Sequence, residues 1–205
     1  MPWIRDLALI PSVAAALTAG LLVVLDDRRL TLATLAAQYL FAAWLAAASL
    51  PPGVAAVKLV SGLLACIVLS ISAAALGWRA PGERAGALPT GHAFRWIAVF
   101  LVAIVAFAVG RDGWSAIPTL EPVVALGAMF LLALGMLQIG ISEDTLRVGA
   151  GILTLLSGFE VAYAAVEPSL AVVALLASVH LGVALVVSYL LVGIPGASAG
   201  QEGEG

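Results

Sequence analysis

Charged residues are scarce in this sequence. They make up 10% of its 205 residues, whereas a soluble domain carries about 25%. Apolar residues make up 63%, so too few polar side chains remain to cover a soluble fold. The composition therefore predicts an integral membrane protein. The net charge of −3 is small and scattered, which gives no basis for a nucleic-acid partner.

Cysteine and histidine are almost absent. Cys66 is the single cysteine, so an internal disulfide is excluded. With His92 and His180 as the only histidines, there is no Cys/His cluster for zinc or an iron–sulfur centre. No glycine-rich phosphate loop follows a strand. We therefore expect that the chain is not an enzyme by itself and that it has no cofactor of its own.

Seven apolar runs are long enough, or nearly so, to cross a bilayer, which needs roughly 20 residues. Charged and Pro/Gly-rich segments separate them, such as "DDRR" at 26–29 and "PPG" at 51–53. The fourth run is short unless Arg95 and Trp96 reach the interface with their side chains. The predicted spans are 7–25, 30–50, 54–78, 94–109, 120–141, 146–166 and 169–192.

Each run must satisfy its own backbone hydrogen bonds in hydrocarbon, so the runs are expected to be helices. The alternating pattern of barrel strands is absent. The prediction is an all-α polytopic membrane protein of about seven transmembrane helices. Residues 1–192 form a single helical membrane domain, and the polar tail 193–205 is a disordered cytoplasmic segment. No three-plus-three internal repeat is visible in the sequence.

The arginines lie mostly on one side of the predicted spans. Cytoplasmic loops carry an excess of Lys and Arg, so the N-terminus is predicted outside and the tail inside, in a bacterial or archaeal inner membrane. The side with the excess carries Arg28, Arg29, Arg79, Arg84, Arg95 and Arg147, whereas the other carries Arg5 and Arg111, with Lys58 near its surface.

Glu160 stands within an otherwise apolar span, where a charged side chain costs about 2.5–3.5 kcal/mol. Burial disfavours the charged form of a carboxyl group, and a partner charge or water lowers the cost. A carboxyl group poised between these states can carry protons. The alternative is a protonated Glu160 that bonds to Ser157 one turn earlier, or to a neighbouring helix.

His180 lies near the middle of the last span. Counted from the turn at residues 167–168, Glu160 and His180 differ in depth by only about 6 Å. Because a short turn makes their helices antiparallel neighbours, one water could bridge the two side chains. Histidine titrates close to neutral pH, which suits a proton relay. The alternatives are a neutral histidine bonded to a backbone carbonyl, and ligation of a haem or chlorophyll.

Three other polar side chains lie in or near the spans. Lys58 either extends its stem to the outer surface or faces Glu160 at a similar depth. Gln38 lies at mid-span in the second run, and Gln138 lies near the inner end of the fifth. Hydrogen bonds between helices are the default expectation for both glutamines.

Two stretches carry a family resemblance. "SEDTLRVGAGILTLLSGFEVAYAAV" and "PSLAVVALLASVHLGVALVVSYLL" resemble the three-helix K subunit of complex I. With "DDRRLTLATLAAQYL" and "VAAVKLVSGLL" added, residues 5–192 resemble component E of hydrogenase-4, a membrane subunit of complex-I-like hydrogenases. The resemblance places Glu160 on the family's buried Glu, Lys58 on its intramembrane Lys and Gln38 on its second-helix Gln.

The chain departs from the family pattern at three positions. Val161 stands where Asn often follows the Glu, and Leu63 stands where a Pro follows the Lys. The acidic residue of the last helix is replaced, with His180 at or beside its position. The resemblance implies a proton- or cation-translocating subunit beside an antiporter-like subunit, with Glu160, His180 and Lys58 as relay. The alternatives are a structural subunit of a respiratory or photosynthetic assembly and a small-solute transporter.

Overall fold

The computed structural model describes residues 2–47, 50–76, 91–112, 121–166 and 169–193, with side chains from residue 8. The described residues form seven α-helices and no strand. The predicted tail 193–205, except Gly193, and most of the third loop lie outside the described residues. The helices are α1 Pro2–Val24, α2 Arg28–Ala46, α3 Pro52–Ala75, α4 His92–Asp112, α5 Pro122–Ile141, α6 Thr145–Ala164 and α7 Leu170–Gly193.

Local sequence signals mark several helix starts. The side chain of Asp27 accepts a hydrogen bond from the Arg29 backbone N–H at 2.8 Å and so caps α2. Pro52 and Pro122 begin α3 and α5, at the position where a missing N–H costs nothing. The fourth helix is longer than predicted, with 21 residues rather than a short span.

The chain is a helical membrane protein by length and composition. Within the described residues, the five helices α3 to α7 are long and apolar enough to cross a membrane. The described part of α1, Ala8–Val24, is shorter. The second helix carries two arginines and Gln38 within its 19 residues, and half of its residues are buried against other helices. A helix that faces protein on most sides needs less apolar surface.

The helices stack as two layers of three in the same order. The first layer is α1, α2 and α3, and the second is α5, α6 and α7; α1 packs on α5, α2 on α6, and α3 on α7. The fourth helix packs at the α1/α5 edge. In the apolar segment of α6, 61% of the residues are buried, against 22% in α4 and 17% in α7. The polar helix α6 is therefore at the centre, beside α2.

The two layers share one spacing along the chain. The starts of α2 and α6 are 117 residues apart, as are the ends of α1 and α5, and the ends of α3 and α7 are 118 apart. The side chains do not repeat: a shift of 117 places Leu175 opposite Lys58, and Ala43 opposite Glu160. The two layers therefore match in the spacing of most helix ends, whereas their sequences show no internal repeat.

Small residues set the distance between α5 and α6, the two neighbouring helices of the second layer that share the most extensive contact. A Cβ atom on Gly158 would lie 2.8 Å from the Ala128 backbone oxygen, and one on Gly135 would lie 2.7 Å from the Leu155 backbone nitrogen. Backbone atoms cannot move aside as a side chain can. The two helices therefore approach closely, as small residues allow in membrane bundles.

Candidate functional site

Three ionisable side chains meet inside the bundle, and we call them the interior triad: Lys58 on α3, Glu160 on α6 and His180 on α7. Lys58 Nζ donates a hydrogen bond to Glu160 Oε2. His180 Nδ1 lies 3.0 Å from Glu160 Oε1. The side chains are 4%, 10% and 2% exposed. One carboxylate is thus held between two basic groups, with a separate oxygen facing each.

Packing fixes the imidazole of the interior triad. His180 Nδ1 also lies 3.1 Å from the Leu176 carbonyl oxygen, one turn earlier on α7. The Tyr39 ring of α2 meets the imidazole edge-on, with centroids 5.8 Å apart and an interplanar angle of 66°. A Cβ atom on Gly62 would lie 2.3 Å from the Tyr39 ring, so only glycine leaves room for that ring. Four helices therefore contribute to the position of His180.

A pocket leads from one end of the bundle to Lys58 and Glu160. Its walls come from the end of α2, the start of α3, the end of α6 and the start of α7. About 20 Å³ is open to the centre of a water molecule, which is enough for one or two waters. Apart from Lys58, Ser61 and Glu160, the lining is mainly apolar: Ala46, Leu50, Tyr163, Ala164, Val172, Val173, Leu176 and Ala177.

The structure decides between the alternatives for Lys58 and Glu160. Lys58 is buried and faces Glu160, so it does not extend to the outer surface. Among the described residues, the partners of Glu160 are Lys58 and His180 rather than Ser157. The imidazole contacts the carboxylate directly, without the bridging water that the helix spacing suggested. Whether the interior triad carries protons stays a prediction.

The three supporting polar residues have different environments. Ser157 is buried on α6 one turn before Glu160, and the Tyr39 hydroxyl faces it. Gln38 is buried, and within the described part of the chain neither of its side-chain polar atoms has a hydrogen-bond partner, so the expected interhelical bond is not present. Gln138 Nε2 donates to the Arg147 carbonyl at 3.0 Å. This hydrogen bond between α5 and α6 is as expected, but it lies at the end of the bundle opposite the pocket.

A second group of charges lies at that end, and we call it the terminal charge cluster: Asp26, Arg28, His92, Arg95, Asp144 and Arg147. Asp26 Oδ1 accepts from Arg95 and, at 2.8 Å, from Arg147 Nη1. Asp26 Oδ2 lies 3.0 Å from His92 Nε2. Arg147 Nη2 also donates to the Val23 carbonyl at 2.7 Å.

Another pair in this cluster joins Arg28 Nη2 to Asp144 Oδ1 at 3.1 Å. Sequence reasoning interpreted the arginines as topology signals and missed their carboxylate partners. Arg95 was considered only as a side chain that could lengthen the fourth span at the interface; it is 4% exposed and pairs with Asp26. The available signal was that acidic residues stand beside the basic start of α2 and immediately before α6, in "DDRR" and "SEDTLR".

The described residues contain no group of three or more His, Cys, Asp or Glu side chains that could hold a metal ion. The chain was compared with protein-family models, with curated proteins and with solved structures, and none of them matches it.

Proposed function

We propose that this protein is a seven-span membrane subunit of a complex-I-like, group 4 hydrogenase-like respiratory complex. In that complex it contributes to proton or cation translocation beside an antiporter-like subunit. The observation that carries the proposal is the interior triad, in which a buried carboxylate contacts a buried lysine and a buried histidine from three helices. Redox chemistry takes place in other subunits, and this chain is not an enzyme by itself.

The energetic cost of the interior triad indicates that these residues have a function beyond packing the helices together. Ionisable groups within a membrane are costly and mark ion or proton pathways. Apolar side chains of similar volume often hold a protein together as well as a buried ion pair does, or better. A chain that needed only packing at this place would therefore gain nothing from Lys58 and Glu160.

The geometry is consistent with a short proton path. The pocket extends to Glu160 and has room for water, and His180 Nδ1 lies 3.0 Å from Glu160 Oε1. This distance is within hydrogen-bond reach, so a proton that His180 gains is held beside the carboxylate. The ammonium group of Lys58 stabilises the ionised carboxylate from its other side.

The resemblance to component E of hydrogenase-4 supports the same function, because its buried Glu and intramembrane Lys fall on Glu160 and Lys58. The arginine distribution supports an orientation. Arg28, Arg95 and Arg147 meet at one end of the bundle, and the rule for basic residues makes this end cytoplasmic. The pocket then opens toward the outer face of a bacterial or archaeal inner membrane.

A purification and a pumping assay test the proposal together. A tagged chain would be isolated from its native membranes in mild detergent, and the proteins that copurify would be identified by mass spectrometry. Proton uptake by inverted membrane vesicles would then be compared between wild type and Glu160→Gln. We expect an antiporter-like subunit to copurify, and we expect proton uptake to fall at least about tenfold, because the site loses the carboxylate that stabilises a protonated partner. Complex assembly should be unchanged.

The matched control is Glu143→Gln, the same chemical change at an exposed carboxylate in the α5–α6 turn. It should pump like wild type. If Glu160→Gln complexes also assemble and pump like wild type, the proposal is wrong and the chain is an accessory structural subunit. Purification of the chain alone as a homo-oligomer would instead identify a small-solute transporter.

A further inference from the structure

The two ring nitrogens of His180 have different surroundings. Nδ1 lies 3.0 Å from Glu160 Oε1 and 3.1 Å from the Leu176 carbonyl oxygen. A carbonyl oxygen can only accept, and so can an ionised carboxylate. Nδ1 must therefore carry the hydrogen that both oxygens share. In the neutral ring this leaves Nε2 as the unprotonated nitrogen, with its lone pair available.

Nε2 is buried, and none of the described residues forms a hydrogen bond with it. The whole His180 residue is 1% exposed. The Tyr39 ring lies against the imidazole, and the Tyr39 hydroxyl faces Ser157. A buried polar atom without a hydrogen-bond partner lowers the stability of the fold, so its presence calls for an explanation such as a functional role.

The charges around the interior triad decide where an additional proton is best placed. A proton on Glu160 would remove the one anion that faces Lys58, and a buried ammonium group would lose its counter-ion. A proton on His180 Nε2 keeps the carboxylate ionised, and the new imidazolium then faces it through Nδ1. The second placement preserves both attractive contacts, so it costs less.

We propose that His180 is the proton-accepting group of this site, that it takes the proton at Nε2, and that Glu160 stays ionised as its counter-ion. The proposal rests on the proton-carrying function proposed above and assigns the roles within it. The donor is hydronium: the imidazole gains H⁺ and becomes imidazolium, and the hydronium becomes water. The reverse transfer releases the proton.

The neighbouring helices present few other groups that would affect this step. Glu160 faces the imidazole from α6, and Lys58 acts on it from α3 through the shared carboxylate. From α2 comes Tyr39, with the Cys66 thiol of α3 near it. Glu160 therefore favours imidazolium and Lys58 opposes it, and their removal should act in opposite directions.

Nitrogen NMR on the full chain in lipid nanodiscs tests this assignment. The protein would be labelled with ¹⁵N-histidine and carry His92→Gln, so that His180 is the single labelled ring. We expect an Nδ1–H tautomer with unprotonated Nε2 in alkaline buffer, and a protonated Nε2 in acidic buffer. A second sample with His180→Gln confirms the signal assignment.

Two variants show whether Glu160 and Lys58 raise or lower the protonated fraction of His180 Nε2, measured at one chosen acidic pH. Glu160→Gln should lower the ratio of protonated to neutral Nε2 about tenfold or more, because an adjacent carboxylate is lost. Lys58→Met should raise that ratio. Opposite signs cannot come from a general loosening of the helices.

Three results would overturn the proposal: an Nε2–H tautomer in alkaline buffer, no protonation of Nε2 in acidic buffer, or an unchanged ratio of protonated to neutral Nε2 in both variants. Because the spectra need no partner subunit, they also separate this proposal from the proposed function. A titrating His180 in a chain that copurifies with no pump would leave the assignment standing and overturn only the respiratory role.

Discussion

The interior triad and the terminal charge cluster both join charged side chains from several helices, yet they are organised in opposite ways. In the terminal charge cluster, the carboxylates of Asp26 and Asp144 meet three arginines and one histidine, and Asp26 is 38% exposed. In the interior triad, one carboxylate meets two basic groups, each nearly inaccessible to solvent.

The difference shows what each group of charges can do. Asp26 joins the α1–α2 turn to the starts of α4 and α6, and Arg147 extends the network to the end of α1. Such a network holds helix ends together. The interior triad joins three helices within the membrane, where a carboxylate is costly and apolar side chains would pack as well. We therefore expect that mutations in the terminal charge cluster affect stability most, and those in the interior triad affect activity most.

The largest expected effect on stability is that of Asp26→Asn. It would leave the guanidinium groups of Arg95 and Arg147 without this carboxylate. We expect the free energy of unfolding to fall by about 3 kcal/mol, the lower end for a broken buried pair, because Asp26 itself is partly solvated. Unfolding in mixed detergent micelles measures it. Asp27→Asn is the control, because asparagine also caps a helix and should change little.

Gly62→Ala tests whether the interior triad needs the packing of the Tyr39 ring against His180. The new Cβ would meet the Tyr39 ring at 2.3 Å, so the ring and the imidazole beside it must move. We expect a loss of about 2 kcal/mol, typical of an overpacked site, together with loss of proton uptake. The control is Gly182→Ala, where no atom lies within 4 Å of the added Cβ. Wild-type proton uptake in Gly62→Ala would show that the Tyr39–His180 contact is dispensable.

The double variant Lys58→Met/Glu160→Leu removes both charges of the pair at once. We expect the folded state to be retained or stabilised by about 1 kcal/mol, since apolar replacement of a buried pair is neutral or favourable. Proton uptake should be abolished. The same unfolding assay, applied beside Asp26→Asn, compares the two groups of charges directly. A loss of stability as large as that of Asp26→Asn would mean that the interior triad also holds the fold together.

The smallest expected effect is that of His92→Gln. His92 pairs with Asp26 but is 72% exposed, so solvent and salt weaken the interaction. We expect a loss of about 0.5 kcal/mol or less and unchanged proton uptake. Unfolding at low and at high salt measures it. A loss above about 1 kcal/mol would indicate that the histidine, and not only the arginines, holds α4 to the α1–α2 turn.

The helix positions and one half of the site could be predicted from the sequence. Turn signals and apolar runs gave helix ends within a few residues, because both are local properties. The proximity of Glu160 and His180 followed from depths that differ by only about 6 Å on two helices joined by a short turn, although the direct contact was not predicted. The facing of Lys58 toward Glu160 remained one of two alternatives, because depth says nothing about the direction of a side chain around its helix.

The terminal charge cluster and the layer order could not be predicted in this way. Asp26 is 69 residues from Arg95 and 121 residues from Arg147, and no local pattern links such distant positions. The helices are apolar on most sides, so their sequences do not indicate which face meets which neighbour. The role of Gly62 was equally hidden, because it depends on the Tyr39 ring of another helix.

The parallel course of α1 and α5 has a consequence for the order in which the chain can complete its site. The Ser12 hydroxyl donates to the Val123 carbonyl near the start of α5, and Arg147, just after α5, donates to the Val23 carbonyl at the end of α1. The two helices therefore run in the same direction, and the chain must return from the end of α3 to the level at which α1 begins before α5 can start. The fourth helix makes this return at the α1/α5 edge. Lys58 precedes α4 whereas Glu160 and His180 follow it, so a chain that ends before α6 leaves the buried lysine without its carboxylate.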